Sequence, residues 1–183
     1  MKLPTCFPIV VQGDVSETEF IKFWSSQFED PRAQLYKTNI DRPLTPKRIL
    51  ALFKWKNGGT IAMHKLASIQ RNYINTKPIP PAMGNREALL SFIAQPGGAI
   101  WRIFWLHCHD PASYPIFDQH VYRAMKRLLD GQPSEIPASN RAKAIVYIDE
   151  YLPFNALFRN KDRKTVDEAL WLYGKRLKNG NAF

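Results

Sequence analysis

Apolar residues recur at three- and four-residue spacing along most of this chain, the period of an amphipathic helix. In "SETEFIKFWSSQF", Phe20, Ile21, Phe23, Trp24 and Phe28 follow a Ser16–Glu19 capping box, so a helix is expected there. "TPKRILALFKWKNGG" supplies Thr45 as cap, Pro46 at the first helical position and Gly58 as stop. "TIAMHKLASIQRNYI" predicts a third helix, with Ile61, Leu66, Ile69 and Tyr73 as its apolar positions. The prolines of "KPIPPAMG" forbid helix, and Asn85 then caps "REALLSFIA".

"QPGG" breaks that helix, "AIWRIFWLHCH" begins the next, and Pro111 ends it. Asp118 caps a helix running to about Leu129. After the loop "DGQPSEIPAS", Ser139 or Asn140 starts "RAKAIVYIDEYLPFNALF", with an interruption expected near Pro153. A Thr165–Glu168 capping box opens "ALWLYGKRLK". The reading is an all-α fold of about eight helices with no hairpin strands, "CFPIVV" being a short extended arm. "AIWRIFWL" is apolar almost all round, as a central buried helix is, with Arg102 and His107 as polar exceptions. Arg102 is placed to pair with a carboxylate such as Asp118.

The composition of the 183 residues, 45% hydrophobic and 13% aromatic, supports a sizeable core and argues against disorder. The proline-rich loops are too short to be domain linkers. The chain reads as one helical domain over residues 1–183, or as two lobes sharing a core. In the second case residues of about 40–130 carry the motif described below, and the N- and C-terminal helices form the other lobe. Two cysteines, Cys6 and Cys108, cannot build a disulfide framework or a four-cysteine cluster. No apolar run approaches the roughly 20 residues of a membrane span, and the first residues lack the apolar core of a secretory signal. A cytoplasmic protein with no membrane partner is expected.

The net charge of +10 favours an acidic partner, nucleic acid before an anionic membrane surface. It also fits a generally basic, solvated surface. The glycine turn of "AQPGGA" bears on this choice. Gly97, Gly98 and Ala99 would present backbone N–H groups at a helix N-terminus, a good phosphate site that reads no base. Twenty residues after Gly98 comes Asp118, at the start of a helix carrying Arg123, Lys126 and Arg127. Asp118 is either a helix cap or a carboxylate held beside a polyanion. Arg123 and Arg127 lie one turn apart and could face DNA or solvent. His120 could touch a base or a phosphate. His107 and His109 point to opposite sides of a helix and do not converge on a metal, so no metal and no other cofactor is expected.

Helix, glycine-rich turn, helix, then "PIFDQHVYR" resembles the helix-hairpin-helix DNA glycosylase superfamily. Its hairpin is usually written L-P-G-V-G, with an aspartate about twenty residues later in a P-x-x-D-x-x-V-x-R segment. Pro115, Asp118, Val121 and Arg123 fall in place, and Pro96, Gly97 and Gly98 are present in altered order, over roughly Phe92 to Leu129. The resemblance implies a two-lobed all-α fold with duplex DNA in the cleft and a flipped base. Asp118 would activate water or stabilise the oxocarbenium-like sugar as the base leaves. Where bifunctional members carry a Schiff-base lysine this chain has Ile100, so water and an intact abasic site are expected. The alternatives are a binding module on the same fold that has lost catalysis and binds nucleic acid or protein, and a helical subunit of a larger repair or defence complex.

Overall fold

A computed structural model of the chain describes residues 16–82, 84–158 and 161–178. These residues are helical, with no strand among them. The elements are α1 (Glu17–Ser26), α2 (Ala33–Lys37), α3 (Pro46–Lys56), α4 (Met63–Ile69), α5 (Arg86–Ala94), α6 (Ala99–His109), α7 (Gln119–Asp130), α8 (Asn140–Val146), α9 (Leu152–Ala156) and α10 (Arg163–Lys178). α4 continues into a π-helical turn, Gln70–Asn75, and α8 runs through another, Tyr147–Tyr151, into α9. With each continuous run counted once there are nine helices among the described residues, in line with the all-α expectation. The arm expected at "CFPIVV" lies outside the described residues.

Local chemistry accounts for most boundaries. Ser16 and Glu19 form the capping box of α1, Thr45 accepts from Arg48 N–H, Asn85 from Ala88 N–H and Ser139 from Ala142 N–H. The Thr165–Glu168 box is corrected. α10 starts earlier, at Arg163, and Asp162 takes the cap, its Oδ2 accepting from Thr165 N–H at 2.9 Å. Glu168 instead pairs with Lys164 one turn away. The break expected near Pro153 takes the form of a widened helix. Proline has no N–H and its ring crowds the carbonyl four residues back. The π turn just before it relieves that crowding, with Leu152 N–H reaching Tyr147 O five residues back.

One contiguous core runs from Ile21 of α1 to Leu170 of α10. α6 lies at its centre, with Ile103, Phe104, Trp105 and Leu106 essentially without exposure. α10 packs along both α1 and α7, α5 packs on α8 and α6, and α2 packs on α3. No described helix is long and apolar enough to cross a membrane.

Candidate functional site

Asp118 sits at the N-cap of α7 with extended backbone, and its Oδ1 accepts from His120 N–H at 2.8 Å and Val121 N–H at 3.3 Å. That completes the cap and leaves Oδ2 free for another partner. The partner is Lys56, the last residue of α3, with Nζ 2.9 Å from Oδ2. The side chains are only 9% (Lys56) and 17% (Asp118) exposed, so the pair is shielded from bulk screening. Burial by itself would raise the Asp118 pKa. The Lys56 charge and hydrogen bond, then His120, outweigh it and hold the carboxyl below its ordinary value.

The segment leading into Asp118 is pinned at successive backbone groups. His107 bonds Tyr114 O at 2.8 Å through Nδ1. Tyr147 donates to Pro115 O at 3.2 Å, and Tyr151 to Ile116 O at 3.1 Å. The π turn places those two hydroxyls. The Ile116 backbone lies close enough to Asp167 of α10 to favour its ionised carboxylate. His107 is buried, which lowers its pKa to about 4 and keeps it neutral. With Nδ1–H donating to Tyr114 O, its Nε2 is left to accept from Tyr36 O–H at 2.7 Å, tying α2 to the same segment.

Asp118 and Lys56 open onto a cavity of about 1140 Å³ walled by α2, α3, the 110–118 segment and α10. Tyr36, Trp55, Phe28 and Trp171 give it aromatic surface. Trp55 Nε1 is fixed by Asp30 Oδ2 at 2.6 Å, and Trp171 is held edge-on by Phe28 and His120. The lining carries both signs of charge, but the signs are used differently. Asp110 and Asp162 are spent on local caps, and Glu168 on Lys164. Lys161, Arg163 and Lys175 meet neutral partners instead: Thr18 Oγ1, Asn155 Oδ1 and the Trp171 ring. None of the three makes an ion pair among the described residues. Glu29, Asp30 and Asp41 also line the cavity, so acidic groups stand among these cations. Asp167 lines the same cavity from α10. One of its carboxylate oxygens is buried without a partner. Burial, reinforced by Asp118, raises its pKa to about 7 against the Ile116 backbone, Lys56 and Arg163.

The residues expected to contact nucleic acid are placed differently. Gly97 and Gly98 have φ of +112° and +86°, which only glycine adopts easily, and a Cβ on Gly97 would lie 2.7 Å from Tyr73 Oη. The turn is internally satisfied: Tyr73 donates to Gly97 O, and Arg102 donates twice to Pro96 O. Arg102 thus holds the hairpin and does not pair with Asp118. The Ala99 amide, expected to be open to phosphate, is committed to Asn140 Oδ1 at 3.2 Å. Gly97, Gly98 and Ala99 do not line the cavity. Arg123 is buried and grips Glu135 through Nε and Nη2 at 2.8 and 2.9 Å. Arg127 turns back to Gly131 O at the end of its own helix. These two arginines therefore form no common outward face. His120 lies between Arg123 and Trp171, and burial, with Arg123 and the nearby lysines, lowers its pKa despite the Asp118 charge.

Comparison with protein-family models, curated proteins and solved structures gives no match for this chain. The residues are what bear on function. Lys56, Asp167 and Trp171 were not singled out by sequence reasoning. Among the described residues no group of three or more His, Cys, Asp or Glu side chains converges as metal ligands.

Proposed function

We propose that the protein is a DNA N-glycosylase, in which an extruded nucleotide enters the cavity and Asp118 faces the sugar. The observation that carries this reading is the second oxygen of Asp118. It is not needed for the helix cap, it is ionised in the ordinary pH range, and its residue lines a cavity large enough for a nucleoside. A fixed carboxylate at that point stabilises the positive charge that develops on the sugar as the glycosidic bond lengthens. Lys161, Arg163 and Lys175, which make no ion pair among the described residues, suit the flanking phosphates, and Trp171 and Tyr36 suit the face of a base. The likeness of "PIFDQHVYR" to the helix-hairpin-helix glycosylases supports the same reading.

A second reading is a nucleic-acid- or protein-binding module without catalysis. It is favoured by one observation, the closure of the hairpin: the Ala99 amide and Arg123 already have internal partners. Base release from duplexes bearing a panel of damaged and mismatched bases separates the two. Release by the wild type that disappears in Asp118→Asn supports the enzyme. Binding without release from any duplex leaves the module.

A further inference from the structure

Residues 42–86 contain nine Lys and Arg side chains and no Asp or Glu, so nearly all of the net charge of +10 lies in this one stretch. It forms α3, α4 with its π turn, and the loop that follows. Lys56 pairs with Asp118, and Arg86 with Glu87 and Asp149. The other seven cations make no ion pair among the described residues. We infer that the exposed side of α3 and α4 is a docking surface for the phosphate backbone of a nucleic acid. The choice of DNA as that polymer rests on the glycosylase reading; the charge does not.

Lys47 and Lys54 stand about two helical turns apart, so they share the outer face of α3, and both are exposed. Lys65 Nζ lies 3.3 Å from Asn57 Oδ1, which ties the start of α4 to the end of α3. Phe53 of α3 rests on Tyr73 of the π turn, with ring centroids 4.7 Å apart, and Arg71 of that turn is exposed. These cations therefore belong to one packed unit and keep their spacing. The end of α3 also supplies Trp55, Lys56 and Gly58 to the cavity wall, so a strand lying along α3 leads to the cavity. Like charges held together without counter-charges repel one another. Bound phosphates would displace the small anions gathered there and release their own counterions. An anionic membrane offers the same charge, but membrane-surface helices set Trp, Phe or Leu beside their cations. This stretch has no exposed aromatic side chain, and its exposed large apolar residues, Leu50, Met63 and Ile79, stand on separate elements. The turn at Gly97, by contrast, has its groups paired internally.

The test compares two triple variants of the full chain that have the same net charge. Lys47→Gln with Lys54→Gln and Arg71→Gln removes cations of the surface. Lys22→Gln with Arg141→Gln and Arg176→Gln removes exposed cations of α1, α8 and α10. None of the six makes an ion pair among the described residues, and glutamine suits a helix about as well as lysine or arginine. Thermal melting checks that both variants fold. Anisotropy of a labelled duplex is then read across a salt series. The surface variant should lose more than about tenfold in affinity, and its slope of log affinity against log salt should flatten by about 2–3, near 0.9 for each lost contact. The single substitutions should each flatten it by about 0.9. The control variant should keep the wild-type slope. A surface variant that binds like the control overturns the inference, as does a wild type that leaves the duplex free at low salt. Capture by vesicles of phosphatidylserine in phosphatidylcholine, without capture of the duplex, would make this a membrane surface and overturns it too. Base release is scored separately. Release with an unchanged slope in the surface variant leaves the glycosylase reading standing without this surface. A flattened slope with no release from any duplex leaves the surface standing without the glycosylase.

Discussion

Gly174 of α10 lies so close to α7 that a Cβ built on it would sit 1.8 Å from the carbonyl oxygen of His120. The obstacle is backbone, which cannot swing away as a side-chain tip can. The two helices cross here because residue 174 is a glycine, and the crossing holds Asp167 and Trp171 against the start of α7. Gly174→Ala should therefore destabilise the protein by about 1–3 kcal/mol or more, despite alanine's better helix propensity. A urea unfolding midpoint unchanged from the wild type would show that α10 can move aside freely.

Asp118→Asn separates capping from charge. Asparagine caps nearly as well, so the His120 and Val121 N–H groups keep their acceptor. Lys56 loses its anion while remaining almost enclosed. A loss of about 1–3 kcal/mol is expected, less than for a fully buried pair because the cavity admits water. The sign with pH follows from the depressed carboxyl. Its stabilisation is present above its unfolded pKa near 3.8 and is lost as pH falls through the lower folded value. The wild type and Asp118→Asn should thus differ in melting temperature at pH 7 and converge in strong acid. Adding Lys56→Met to Asp118→Asn should recover part of the loss at pH 7.

Asp167 runs the other way. Its folded pKa of about 7 lies above the ordinary 3.8, so between those values the native state binds more protons than the unfolded state. Stability attributable to this group falls as pH rises from about 4 to 7 and is level beyond. Asp167→Asn removes the charge and keeps an acceptor beside the Ile116 backbone. The variant should gain roughly 1–3 kcal/mol at pH 8 and nothing at pH 4. Thermal melts at both values decide it. A variant less stable than the wild type at pH 8 would mean that the ionised carboxylate has a partner in solution. If the cavity is the site, the gain should come with weaker activity.

What the sequence made legible was local. The Asp118 cap, the Asn85 cap and the buried character of α6 each follow from neighbours within a turn. α2 gave no such signal, since it is five residues long and its cap position, Arg32, makes no side-chain cap bond. The Lys56–Asp118 pair joins residues 62 apart, and "KWKNGG" reads equally well as a solvated helix end. Arg123 looked outward because its partner, Glu135, lies in a proline-rich loop whose path no periodicity describes. Asp167 has the spacing of an ordinary surface charge on an amphipathic helix. Only the packing of α10 on α7 carries it inward. The positions of chemical interest are those set by long-range packing, which a single sequence does not encode in its spacing.

The placement of the cations moves the expected DNA contacts. Arg123 and Arg127 are the basic residues beside the motif, but the first is locked to Glu135 and the second to Gly131 O. Replacing Arg123 should chiefly destabilise the protein, because its own buried side chain loses its packing, while the exposed Glu135 turns to water. Lys161 and Lys175 sit at the cavity wall with neutral partners only, so their removal costs little stability. Under the proposed function they are the phosphate contacts. Lys161→Ala and Lys175→Ala should each weaken duplex binding to all sequences alike. Each should also reduce the slope of log affinity against log salt by about 0.9, one released counterion per lost contact. Fluorescence anisotropy across a salt series, with unrelated duplexes in parallel, gives both quantities. Slopes equal to the wild type would place the nucleic acid on another face. A loss confined to one sequence would mean that these lysines reach base edges and not phosphates.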